Sequence, residues 1–272
     1  MVFKNLSYSL LTQLITVIVS FGSIAILARL LTPSTFGIFA LMFSIHTVLI
    51  PLVDFGLTAV YIKKRNVNKE TKDVFFTLNI MLGCLYGLLY FVLAYYLSPY
   101  EIMKYAPAFV FSVLIFSYNQ HSIANLLREH QQQKLMYINV TVAFFSATIA
   151  IILAYLEFGI YALLSQQLAN HLATTFMLKM IYPQSYQLSR ISVIKKYSSD
   201  ILFGVTIVNS RIINAVSLSY DKFLISNYFG LATLGAYSKA FELSRYPDAS
   251  IGTVISSPIL AFLARKQKTE AR

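Results

Sequence analysis

The feature that most constrains this chain is a recurrence of apolar runs of about 20 residues, separated by short clusters of charge. A helix rises about 1.5 Å per residue, so each run is long enough to cross a hydrocarbon core of about 30 Å. In that medium a segment has to satisfy its own backbone donors and acceptors, and an apolar run does so as a helix. Composition agrees. The chain is 57% hydrophobic and 12% charged, where a soluble domain carries roughly 45–50% and about 25%. Too few polar side chains remain to cover a soluble globule. The predicted fold is all-α: a polytopic membrane protein of about eight transmembrane helices.

The runs read in order as Tyr8–Leu30, Phe36–Ala59, Val74–Leu97, Tyr105–Leu127, Met136–Leu156, Ile160–Tyr182, Ile201–Tyr228 and Leu234–Leu263. Asn5 and Ser7 are cap candidates for the first, and Pro33 ends it by removing a backbone donor. Lys4 before an apolar run also suits a signal peptide, but this run is too long for a signal core. The organisation that follows is a six-helix bundle over 1–182, a cytoplasmic linker over 183–200, the first two helices of a second bundle over 201–263, and a basic cytoplasmic tail over 264–272. With the N-terminus inside, the inner segments hold sixteen lysines and arginines, against Lys104, Arg29 and Lys222 at or near the outer side. This positive-inside bias predicts both termini in the cytoplasm of a multi-pass protein of the cell's inner or plasma membrane. Much of the formal charge of +11 is then topology and attraction to membrane lipids, not a nucleic-acid footprint.

The chain also repeats itself. Moved forward by 198 positions, ILARLLTPSTFGIF (26–39) falls on LISNYFGLATLGAY (224–237), so that Thr35 meets Thr233, Gly37 meets Gly235 and Phe39 meets Tyr237. Each copy reads as apolar helix, short turn, small residues, apolar helix. Such duplication is a mark of transporters that bind between their repeats.

Charge within a span costs about 2.5–3.5 kcal/mol on insertion scales, so it faces a bundle interior, a wet cavity or an interface. Lys239, Glu242 and Arg245 share a helix face at a spacing of three, so Glu242 has two cations to pair with. Either this is a self-neutralising ladder, or Lys239 or Arg245 is left to meet an anion. Arg211 has two readings: a fork for a substrate phosphate, or an interhelical pair with an acid such as Asp54. Arg29 and Lys222 stand near helix ends, where long side chains reach the headgroups. Asp54 and Asp221, like Glu242, are candidates for coupling to protons or sodium, or for neutralising a nearby cation. Gln166, Gln167 and Asn170, with His171, lie on neighbouring helix faces and are cavity candidates; interhelical hydrogen bonding is the alternative.

Enzyme chemistry is not legible. No metal-spaced His/Cys set, acid pair or glycine-rich phosphate loop occurs, the four histidines are scattered, and Cys84 lies within an apolar run. The expectation is no catalytic residue, no metal and no cofactor. Without a nucleotide-binding motif, the driving force is a gradient or consumption of substrate.

Four stretches carry a resemblance: ARLLTPSTFGIFAL (28–41), DFGLTAVYIKK (54–64), DKFLISNYFGLATLGAYSKAFELSRYP (221–247) and SSPILAFLARKQ (256–267). The chain resembles the Wzx-type polysaccharide and O-antigen flippases of the multidrug/oligosaccharidyl-lipid/polysaccharide exporter superfamily. The resemblance implies two six-helix bundles around a central cavity, alternating access by rocking, and transfer of an undecaprenyl-pyrophosphate-linked oligosaccharide from the cytoplasmic to the outer leaflet. It implies cavity cations, for which Arg29 and Arg211 match by position, and partners among other membrane proteins of polysaccharide assembly. The sequence stops just after its eighth run, so a truncated product or fragment is expected. The alternatives are a multidrug or cation antiporter of the same fold, which favours a carboxylate-lined cavity, and an integral-membrane polymerase, which wants a large polar loop.

Overall fold

A computed structural model describes residues 2–64, 66–97, 102–242 and 244. All regular structure among them is helical. The helices are α1 (Val2–Leu30), α2 (Pro33–Asp54), α3 (Leu57–Lys63), α4 (Lys69–Leu97), α5 (Ala106–Arg128), α6 (Gln132–Tyr155) and α7 (Ile160–Ile181). A short turn, α8 (Ile191–Ile194), leads through a 3-10 turn into α9 (Ser198–Ser217), and a further helical run, α10, covers 220–242. Five stretches among the described residues are long and apolar enough to cross a membrane: Leu10–Leu30, Pro33–Lys63, Lys69–Leu97, Gln132–Tyr155 and Ile201–Glu242. The chain is a multi-pass membrane protein.

Local chemistry sets the element ends. Thr32 caps α2, its hydroxyl accepting from the Thr35 N–H, with Pro33 at the first helical position. Asn68 caps α4 by accepting from the Thr71 N–H at 2.8 Å. The sequence reads 36–59 as one span, but α2 stops at Asp54. Phe55 and Gly56 adopt positive φ of 46° and 66°, a sharp turn that glycine makes without strain. Asp54 then caps α3 through the Thr58 N–H.

Helix α10 is not straight. The Tyr237 hydroxyl donates to Asp221, 16 residues away. Along one helix that separation is about 24 Å, so the run folds back on itself. The reversal is at Gly230, which carries a φ of 81°. Its two arms form the hairpin that the 198-residue offset places opposite the α1–α2 junction.

The six long helices before residue 182 pack side by side in the order α1, α6, α7, α5, α4, α2. Tyr86, Tyr90 and Phe109 stack in the core beside Ile45 and Val53. His46 bonds the Tyr86 hydroxyl at 2.9 Å within that layer. Between α5 and α7, Asn119 donates to the His171 carbonyl and accepts from Thr175. Such bonds hold helices together where lipid supplies no hydrophobic drive.

Residues 183–190, which the sequence assigns to a linker, are strapped to this bundle. Asp73 accepts from the Gln187 N–H at 2.9 Å and Thr77 from the Ser189 N–H at 2.8 Å. The Tyr186 ring stacks on Phe76, and its hydroxyl accepts from Asn125 and Ser122. Burial pushes that phenol up in pKa.

Beyond the strap, α9 packs on α2 and α3, and α10 crosses the start of α2. A Cβ on Gly37 would lie 1.8 Å from the Leu231 carbonyl oxygen, and one on Gly235 would lie 1.9 Å from that of Pro33. Only glycine lets the backbones approach this closely.

Candidate functional site

The crossing of α10 over α2 encloses one side of a cavity of about 490 Å³. Helices α1, α2, α6 and α7 form its other walls. Gln166, Gln167 and Asn170 line it from one stretch of α7, and Lys222, Lys239 and Glu242 line it from the two arms of α10. Ser20, Ser23 and Ser146 add hydroxyls, while Phe36, Phe39, Phe43 and Phe241 supply aromatic surface.

The charges are held by rings. The Lys239 Nζ sits 3.7 Å from the centre of the Phe36 ring. The Lys222 Nζ lies 5.4 Å from that of Phe241. A cation over an aromatic face is attracted by the negative quadrupole of the ring. Lys222 is only 9% exposed. Lys239 and Glu242 share the spacing of an ion pair, yet none joins them among the described residues. Arg245, the other cation of that ladder, lies outside the described residues.

The remaining sequence candidates are elsewhere. Arg211 pairs with Asp54, Nη1 to Oδ2, at 2.7 Å, which is the interhelical alternative for both. Asp221 accepts from Tyr237 and from the Lys222 N–H, and so ties the arms of α10 together. Arg29 stands exposed in the last turn of α1, away from the cavity lining. His171 gives its carbonyl to Asn119 and packs its ring near Phe116. Sequence reasoning placed Lys222 near an outer helix end and gave no role to the serines. Ser20 and Ser23, three apart on an apolar helix, were the readable signal.

This arrangement can hold an anion with two ammonium groups and meet hydroxyl-rich surface with amides and rings. Comparison with known proteins gives the chemistry a setting. A family profile described as "Polysaccharide biosynthesis protein" matches residues 26–272. The chain belongs to that family.

Within the family, a curated relative is the succinoglycan biosynthesis transport protein ExoT of Rhizobium meliloti (strain 1021). It is 26% identical over 256 residues, which are 90% of this chain and 50% of the relative. Another is an uncharacterized membrane protein in the cps region of Klebsiella pneumoniae, 22% identical over 279 residues, 99% of this chain and 56% of the relative. The chain thus spans about half the length of the curated relatives it matches. No solved structure matches it. The resemblance to polysaccharide exporters drawn from the four motifs is borne out at the level of the family. The name of the Rhizobium relative is that of a transport protein.

Proposed function

We propose that this chain provides the substrate-holding half of a flippase. It moves an undecaprenyl-pyrophosphate-linked oligosaccharide from the cytoplasmic to the outer leaflet for assembly of a surface polysaccharide. The observation that carries this reading is the convergence of Lys222 and Lys239 with Gln166, Gln167 and Asn170 on one cavity between the two repeats. A pyrophosphate-linked sugar presents negative charge and many hydroxyls, and stripping their water without replacement costs several kcal/mol for each polar group. Ammonium groups replace that water at the phosphates, and amides and rings replace it at the sugars. In this reading the basic end of the bundle faces the cytoplasm of an inner or plasma membrane. Glu242, the acid among the described lining residues, couples the cycle to an ion. Arg211 and Asp54 act as a lock between helices. Arg29 acts outside the cavity, and Asp221 as a brace. Other membrane proteins of polysaccharide assembly deliver and receive the substrate.

The test is complementation in a strain lacking its own flippase but supplied with the matching sugar pathway. The chain is expressed alone and extended through any downstream reading frame, and surface polysaccharide is scored. Rescue that disappears with Lys239→Gln, at unchanged membrane level, supports the reading. Rescue that survives Lys239→Gln combined with Lys222→Gln removes the cations from the mechanism. Drug resistance without polysaccharide would favour the antiporter, for which the carboxylate of Glu242 in the cavity is the one supporting observation.

A further inference from the structure

A second cavity, of about 430 Å³, opens at the basic end of the bundle, apart from the one between the repeats. Its volume falls within the range of about 300–1,000 Å³ usual for ligand sites. The lining is polar: Lys72 and Asn68 from the start of α4, Asn66 before it, Arg128 and Glu129 from the end of α5, and Tyr61 from α3.

Two cations, Lys72 and Arg128, stand against one acid, Glu129, in this pocket. Arg128 is fixed beside it by donating from Nη1 to the carbonyl oxygens of Tyr61 and Ile62 at 2.6 and 3.2 Å. The Lys72 ammonium has no hydrogen-bond or ion-pair partner among the described residues. Its neighbour Asp73 is occupied by the strap, accepting from Gln187. The acid of the pocket, Glu129, has both oxygens engaged, one by the Tyr182 hydroxyl at 2.5 Å and the other by Gln131 at 2.8 Å. Asn68 uses its carbonyl oxygen to cap α4, which leaves its amide N–H groups as donors.

Depth narrows the ligand. Helix α4 has 29 residues, hence a length of about 43 Å against a hydrocarbon core of about 30 Å. Its first turns carry Lys69, Glu70, Lys72 and Asp73, charges that favour the headgroup layer over hydrocarbon, and this sets Lys72 and the neighbouring ends of α3 and α5 at that level. Basic pockets between helices at that level suit anionic headgroups. We propose that this pocket binds the phosphate of an anionic phospholipid headgroup, with Lys72 as the principal charge, Arg128 as the second and Asn68 as an amide donor.

The experiment uses the purified chain in mixed micelles of a neutral detergent and phosphatidylcholine, titrated with phosphatidylglycerol while the melting temperature is followed. Parallel titrations use more phosphatidylcholine and inorganic phosphate. The expected result is a rise in melting temperature with phosphatidylglycerol alone, whose midpoint moves to about tenfold higher lipid in Lys72→Gln, the loss of one charge-assisted contact. Lys69→Gln removes the same charge one turn away, outside the lining, and keeps the wild-type midpoint. If Lys72→Gln does not fold, Asn68→Asp serves, since aspartate still caps α4 but sets a negative charge in the pocket wall; the same shift is expected. An unchanged midpoint in both pocket variants overturns the proposal. So does an equal shift in Lys69→Gln, which means general surface attraction, or an equal response to inorganic phosphate, which means a soluble anion.

Discussion

At its first turns α2 meets α10 backbone to backbone; at its last it meets α9 through a crossing and an ion pair. The first contact is self-complementary. Gly37 faces Leu231, and Gly235 faces Pro33; subtracting the 198-residue offset turns each pair into the other. The second has no such symmetry. Gly204 lies against Phe55, where a Cβ would approach the carbonyl oxygen to 2.3 Å, and Arg211 reaches Asp54. By the same offset Arg211 falls on Gln13, so the ion pair does not repeat. The difference teaches that the duplicated segment dictates one end of the interface, and side chains peculiar to the second half dictate the other. One end is held by shape, insensitive to salt. The other is held partly by charge.

Breaking the shape-held end should have the largest effect. In Gly37→Ala the new Cβ meets backbone at 1.8 Å, and no rotamer relieves it. The expected loss is about 1–3 kcal/mol of stability, the usual cost of overpacking, read as a lower melting temperature in micelles. Gly235→Ala should cost about the same. The double variant sharpens the comparison. A single displacement of α10 from α2 makes room for both methyl groups, so the pair should cost little more than either alone. Additive losses would mean that the two contacts are independent and the pseudo-symmetry is only apparent.

The inner crossing should yield less to the same substitution. Gly204→Ala drives a methyl into the Phe55 carbonyl, but that carbonyl belongs to the turn between α2 and α3, not to a helix interior. About 1–2 kcal/mol is expected. A loss equal to that of Gly37→Ala would show both ends to be rigid alike.

What was readable follows the same division. The apolar runs, the turn near Gly230 and the equivalence of Gly37 with Gly235 all belong to patterns of spacing, and spacing survives in sequence; that the two glycines cross does not. Of the cavity lining, Gln166, Gln167, Asn170, Lys239 and Glu242 were legible, because a polar residue in an apolar helix is conspicuous. The rest depended on long-range geometry. Arg211 carried two readings until α9 was seen beside α2. Lys222 reads as a cation near a helix end, and its place on the cavity wall depends on how α10 packs across α2. The strap at 183–190 was invisible because its bonds use backbone N–H groups of an irregular segment, received by Asp73 and Thr77 more than a hundred residues earlier.

The ion pair offers a smaller effect and a separate readout. The Arg211 side chain is 48% exposed and that of Asp54 18%, so the pair is not sealed in the protein core and Arg211→Ala should cost within about 1 kcal/mol. If the pair is a lock that opens during transport, polysaccharide export should fall by far more than the amount of folded protein in the membrane. Equal falls would make the pair purely structural.

Salt isolates the smallest term. Raising ionic strength from about 0.1 to 1 M shortens the screening length from roughly 10 to 3 Å. The stability difference between wild type and Arg211→Ala should then shrink by a few tenths of a kcal/mol, because only the wild type has the pair to lose. The difference between wild type and Gly37→Ala should not move, since a methyl group against a carbonyl is repulsive at any salt concentration. If both differences shrink together, the two ends of α2 are coupled through the helix, and the contrast between a shape-held and a charge-held contact fails.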